Sequence, residues 1–343
     1  MLQDWPHEAG AEAVQFRERF NRLTSQSAAD WEAYAIDLFQ WQAQRVPVYK
    51  AYLQALKIKP ESIHRLADIP TLPLSFFKSH RVQSWDFEAA ATFTSSTTTG
   101  QIPAKHAVSD LSFYEQHSQR LFEANYGPVS DWVVLALLPS YLERGGSSLV
   151  YMAEHFIRSG AQAESGFFLY DFAALHNSYE QAKQAGKQVL LLGVSYALLD
   201  LAESPLRMQL QADDVLMETG GMKGRRRELV REELHSILQE AFGVSAVHSE
   251  YGMTELLSQA YSKGNGIYQK APTLLLNIRD VNDPFSLLAP GKTGGVNLID
   301  LANIDSCAFL QTQDLGRLHT DGSFEILGRF DNSELRGCNL MVS

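Results

Sequence analysis

The sequence predicts an α/β fold, a mainly parallel sheet with helices on both faces, followed by a small antiparallel β subdomain. Three observations predict it. Short apolar runs that end in Gly, Ser or Pro alternate with amphipathic stretches from about residue 90 to 265. Residues 11–57 instead place aromatic and aliphatic side chains at helical spacing. After about residue 265 the apolar runs shorten and are separated by Gly and Asp turns, the texture of antiparallel strands.

Residues 1–90 form the N-terminal helical layer and connector. "WEAYAIDLFQWQAQRVPVYKAYLQAL" has helical periodicity broken at Pro47, and the two prolines of "IPTLPLSFFKSH" (69–80) forbid a regular helix, so an ordered connector leads to Lys78. Residues 91–265 form the α/β core. Its buried strands are "DWVVLALLPS" (131–140), "QVLLLGVS" (188–195), "DDVLMETGG" (213–221) and "VSAVHSEYG" (244–252), and "RRRELVREELHSILQEAF" (225–242) reads as a helix. In such sheets ligands bind at the carboxyl ends of the strands. Residues 266–327 form the antiparallel β subdomain, and 328–343 a short tail that carries Cys338.

Composition narrows the function. The 343 residues are 45% apolar and can fill a large core. A net charge of -11 argues against nucleic acid and anionic membranes as partners. Two cysteines, Cys307 and Cys338, make no disulfide framework and fit a reducing compartment, with the cytoplasm as default. The longest apolar run, "VLLLGVSYALLDLA" (189–202), falls short of the roughly 20 residues of a spanning helix, so no membrane insertion is expected.

Three stretches carry candidate chemistry. "FTSSTTTGQIPAKH" (93–106) offers Ser95, Ser96, Thr97, Thr98 and Thr99 before Gly100, a loop whose hydroxyls and N–H groups suit a polyphosphate, with Lys105 adding a point charge. A solvated Ser/Thr turn has the same composition, and the order of residues excludes an ordinary P-loop. "HSEYGMTELLSQ" (248–259) leaves a strand through Tyr251 and Gly252 and brings Thr254 and Glu255 to the crevice, where the carboxylate suits Mg²⁺ bound to phosphate. "FLQTQDLGRLHTDGSFEILGRFDNSELRG" (309–337) supplies Asp314 for ribose hydroxyls and Arg329 for a phosphate. Gly220 and Gly221 end a strand where a ligand needs close backbone approach.

In order and spacing, "SSTTTGQIPAK", "YGMTE", "TQD" and "GRFD" resemble the motifs of the adenylate-forming superfamily, which includes acyl-CoA synthetases and adenylation domains of nonribosomal peptide synthesis. Thr97 and Gln313 stand where that family has glycine. The resemblance implies an N-terminal adenylate-forming domain, with the family's mobile C-terminal domain and its lysine absent. Lys105, Lys78 or Lys223 would then take the lysine's place.

Position by position, the resemblance puts the hydroxyl loop with Gly100 on the phosphates of ATP and Glu255 on Mg²⁺. Thr254 would touch the α-phosphate, Tyr251 would stack near the adenine, Asp314 would bind ribose, Arg329 would support the nucleotide, and Asp331 would be the hinge. The connector at 69–80, "LPSYLERGGSSLVYM" (138–152), "ETGGMKGRRREL" (218–229) and "RGCNLMV" resemble the acyl-protein synthetase branch of bacterial bioluminescence. That branch implies activation of a carboxylic, fatty, acid to an acyl-adenylate with release of pyrophosphate. Transfer to a thiol follows, the acceptor being Cys338, a partner protein or coenzyme A; Lys105, Thr254 and Cys338 are the catalytic candidates.

Alternatives are a non-catalytic nucleotide or acyl-adenylate binder, an acyl-CoA ligase-like enzyme that needs a partner, and a serine hydrolase. The last uses Ser195 within "LLGVSYALL", with His235, His248 or His319 as base.

Overall fold

The computed structural model describes residues 9–23, 27–96, 102–139, 145–220, 226–227 and 229–329. Its helical layer is α1 (Ala9–Leu23), α2 (Ala28–Arg45) and α3 (Pro47–Ala55). Ser27 and Asp30 close a capping box at the head of α2. Pro47 opens α3 in its first turn, where a missing N–H costs no hydrogen bond, so the expected interruption is a junction between two helices. Phe39 and Tyr49, fully buried, pack on the ring of Phe309 and fix this layer to the sheet.

The proline-rich connector contributes β1 (Leu72–Pro73) and α4 (Phe76–Ser79). Next, β2 (Ala91–Thr94) and β3 (Lys105–Val108) form a separate antiparallel pair. The core then alternates α5 (Leu111–Tyr126), β4 (Trp132–Leu137), α6 (Ser148–Gly160), β5 (Gly166–Phe167), α7 (Phe172–Gln184), β6 (Gln188–Val194), α8 (Ser195–Glu203), β7 (Val215–Thr219), α9 (Arg231–Phe242) and β8 (His248–Tyr251). In space, β5, β4, β6, β7 and β8 lie in that order and pair in parallel. Every residue of β4 and β7 is buried, as in a sheet covered on both faces.

The chain reverses after β8, and β9 (Ala260–Ser262) pairs antiparallel with it. Then come β10 (Ile267–Tyr268), β11 (Leu274–Arg279), β12 (Thr293–Asp300), β13 (Phe309–Leu318) and β14 (Phe324–Arg329). They extend the sheet beyond β8 in the order β9, β10, β14, β13, β12, β11. The antiparallel strands thus share one hydrogen-bonded ladder with the parallel ones, while β1 adds in parallel to β13. No described helix is long and apolar enough to cross a membrane.

Two expectations are corrected. The helix expected from residue 225 begins at Arg231, with Glu232 and Glu233 in its first turn, where carboxylates suit the helix dipole. Arg226 lies before it, paired with Asp200 and Glu203 of α8. Among the described residues Ser195 also has no imidazole as a hydrogen-bond partner. Ser195 is 1% exposed and donates to the Glu218 carboxyl at 3.1 Å, and His235 Nε2 lies 3.7 Å from the other oxygen of that carboxyl. A carboxylate therefore stands between serine and imidazole, so His235 does not reach the hydroxyl as the triad order requires.

Candidate functional site

Register builds the first part of the site. Asp314 on β13 and Arg329 on β14 are cross-strand partners, which puts Arg329 Nε 3.3 Å from Asp314 Oδ1. From β8, the Tyr251 hydroxyl donates to Asp314 Oδ2 at 2.7 Å. The buried Asp314 thus has each oxygen engaged by a residue of a different motif. The Tyr251 ring is buried edge-on against Tyr268 and Phe324, and burial beside Asp314 pushes its phenol well above the usual range.

Beyond Tyr251 the backbone leaves the sheet at the exposed Gly252, and Thr254 is half-buried. The following Glu255 is buried. Burial holds its carboxyl above the usual carboxylate range, against the opposing fields of Arg329 and Lys78. Asp314, Arg329 and Lys78 all lie within electrostatic reach of Glu255. Lys78 arrives through the connector: β1 pairs with β13, the Leu74 amide donates to Gln311, and Phe77 is buried beneath the exposed lysine.

Residues outside the motifs hold this segment in place. His106 Nδ1 lies 2.8 Å from the carbonyl oxygen of Thr254, and its Nε2 lies 3.0 Å from Asn303 Oδ1. The Asn303 amide donates to the carbonyl oxygen of Glu255 at 2.7 Å. Asp300, fully buried, accepts from the Leu257 and Ser258 amides and the Ser258 hydroxyl. A loop exit from a sheet leaves unpaired backbone groups, and these side chains satisfy them. Sequence reasoning named none of the three, because their partners lie far along the chain.

The hydroxyl loop enters from the β2–β3 pair. At its base the Ser95 amide donates to Ala104 and the Ala104 amide donates to the Ser95 hydroxyl. Ser96 and Lys105 are exposed there, and β3 joins the loop directly to His106. Gly220, exposed with φ +75, ends β7, next to β8 in the sheet. Thr97, Thr98, Thr99, Gly100, Gly221, Lys223, Asp331 and Cys338 lie outside the described residues. Cys307 is fully buried and its thiol is pushed up to about 12, which suits packing.

No family model matches the chain, and no curated protein matches it. Solved structures do. ATP-bound MatB from Rhodopseudomonas palustris is 18% identical with a TM-score of 0.53, over 78% of this chain and 49% of that one. An open conformation of 2-hydroxyisobutyryl-CoA ligase, in complex with 2-HIB-AMP and CoA, is 15% identical with a TM-score of 0.66, over 91% and 72%. The same ligase in its thioesterification state gives 0.63, over 94% and 69%. The chain therefore has the mixed α/β fold of these ligases and spans about half the length of MatB.

Proposed function

We propose that this chain activates a carboxylic acid with ATP and passes the acyl group to a thiol. The observation that carries the reading is the convergence of Tyr251, Asp314, Arg329 and Glu255 at the carboxyl end of β8, from three separate sequence motifs. The fold shared with CoA ligases supports it.

In the first step a carboxylate oxygen attacks the α-phosphorus of ATP, the bond to the bridging oxygen breaks, and pyrophosphate leaves. Catalysis needs alignment and neutralised charge. Asp314 receives ribose hydroxyls as Tyr251 and Arg329 orient its oxygens, and the hydroxyl loop from Ser95 to Gly100 takes the phosphates, with Lys105 beside it. Thr254 faces the α-phosphate, while Gly220, Gly221 and Gly252 let the nucleotide approach the backbone. The Arg329 and Lys78 charges oppose the charge that develops on phosphate.

Among the described residues no group of three or more His, Cys, Asp or Glu side chains could hold a metal. Mg²⁺ bound through one carboxylate and substrate phosphates requires none. Glu255 fits that role, since its buried carboxyl gains from a nearby cation. The ion supplies charge neutralisation at the phosphates.

In the second step a thiolate attacks the acyl carbon and AMP leaves. The 2-hydroxyisobutyryl-CoA ligase was solved with coenzyme A, which makes coenzyme A the first acceptor to test. The resemblance to acyl-protein synthetases makes Cys338, or a thiol on a partner protein, the second. Incubation with ATP, Mg²⁺, acid and coenzyme A, followed by intact-mass spectrometry of wild type and Cys338→Ser, separates them. An acyl adduct on the wild type that is lost in Cys338→Ser assigns the acceptor to the tail; acyl-CoA with no adduct assigns it to coenzyme A. Absence of AMP formation with every acid contradicts the activation step itself.

A further inference from the structure

Buried polar atoms gather at the carboxyl ends of β7 and β8, on the face opposite Tyr251. Side chains alternate along a strand, so Glu250 points away from Tyr251 and shares its face with its cross-strand partners, Thr219 of β7 and Tyr261 of β9. Thr219 Oγ1 donates to Glu250 Oε2 at 2.5 Å. The Glu250 carboxyl lies over the exposed Gly252, where a Cβ would come within 2.5 Å of Oε1, so the carboxyl lies toward the mouth of the crevice. Gln259, just before β9, faces Gly252, its Cγ 3.5 Å from that Cβ position, and its amide lies beside the Tyr114 hydroxyl.

Two of these groups are incomplete. Gln259 is 4% exposed and Tyr261 is 2% exposed. Among the described residues neither Gln259 Oε1 nor the Tyr261 hydroxyl has a hydrogen-bond partner. Buried polar atoms are nearly always paired, and two orphans beside one carboxyl call for a group that pairs them. What is missing is a donor: Gln259 Oε1 and a carboxylate only accept, while a phenol does either.

We propose that this cluster seats the acyl part of the acid, and that the acid carries a hydrogen-bond donor, a hydroxyl or an ammonium group. The inference rests on the proposed activation of a carboxylic acid, since Gly252 leads directly to Thr254 and Glu255. Gln259 Oε1 and the Glu250 carboxyl receive the donor, and the Tyr261 hydroxyl completes its shell. A plain alkyl chain leaves these atoms unpaired against hydrocarbon, so a fatty acid is the wrong class. Sites built to hydrogen-bond a substrate group reject analogues without it by factors on the order of 10⁴.

The test pairs acids of equal size: a hydroxy acid, an amino acid and an alkyl acid, each with wild type, Tyr261→Phe and Gln259→Leu. Pyrophosphate release and the thermal shift on binding are read in parallel. Donor-bearing acids are expected to exceed the alkyl acid in kcat/KM by at least about 100-fold. Tyr261→Phe removes only an unpaired hydroxyl. It should raise KM for the donor acid by about tenfold while leaving KM for ATP and the melting temperature unchanged. Preference for the alkyl acid, or equal effects of Tyr261→Phe on alkyl and donor acids, overturns the inference. Release with no acid at all counts against the activation step, and the thermal shift then decides the pocket: a shift by donor acids that Tyr261→Phe abolishes supports it, and no shift overturns it. Which of the hydroxy and amino acids is preferred identifies the donor.

Discussion

Asp314 has one oxygen on the Tyr251 hydroxyl and the other facing Arg329, so its geometry is set before any ligand arrives. Replacing it with alanine is expected to weaken ATP binding at least tenfold by calorimetric titration, about 1.4 kcal/mol. Retention of wild-type affinity would remove Asp314 from the site. Gly252 makes a sharper case, because a methyl group there collides with the Glu250 carboxyl. Gly252→Ala should lower acid-dependent turnover, read as pyrophosphate release, about tenfold or more, and unchanged turnover would remove Gly252 from the site. Asp314 and Gly252 were legible in the sequence because each sits in a short motif. His106 was not, since its partners Thr254 and Asn303 lie 148 and 197 residues further along the chain and only the folded sheet brings them together.

At the scale of elements, β4 and β6 were legible because each is a continuous apolar run that ends at Gly, Ser or Pro, the signature of a strand buried on both faces, whereas the two-residue β5 carries no such pattern. The start of α9 was not, because Arg226 before it answers Asp200 and Glu203 on α8, beyond any local window. The β3 strand and the segment after β12 act together through His106 and Asn303. His106→Ala should therefore slow turnover about tenfold and leave two carbonyl groups poorly held, destabilising by about 1–3 kcal/mol in urea titration. Unchanged turnover would make the pair purely structural.

Helix α5 also contributes a pH dependence. His117 is fully buried between Phe20 and Phe113, with Nε2 2.8 Å from the Ser258 hydroxyl, and burial depresses its pKa to about 3. The unfolded chain takes up this proton near the ordinary value of about 6.5, whereas the native ring refuses it until about 3. Stability therefore falls as pH falls through that window, by up to about 1.4 kcal/mol per unit. The loss of urea resistance between pH 7.5 and 5 should be larger in wild type than in His117→Phe, and equal losses would contradict the assignment.

Across the whole molecule, one ladder runs from the parallel strands through β8, β9 and β10 to β14 and β13. That continuity brings the exit of β8 beside Asp314 and Arg329, and β1 on β13 brings Lys78 to the same place. The sequence showed both kinds of strand but not their union, because pairing between distant strands leaves no local pattern. Phe309 sits where the helical layer meets this sheet, so Phe309→Ala should cost about 3–5 kcal/mol and release that layer first, read by hydrogen exchange in α2 and α3. The decisive experiment is the exchange of labelled pyrophosphate into ATP with Mg²⁺ and a panel of carboxylic acids. Exchange that requires the acid and is lost in Asp314→Ala is the expected result; ATP bound tightly, with no exchange for any acid, would make the chain a nucleotide binder.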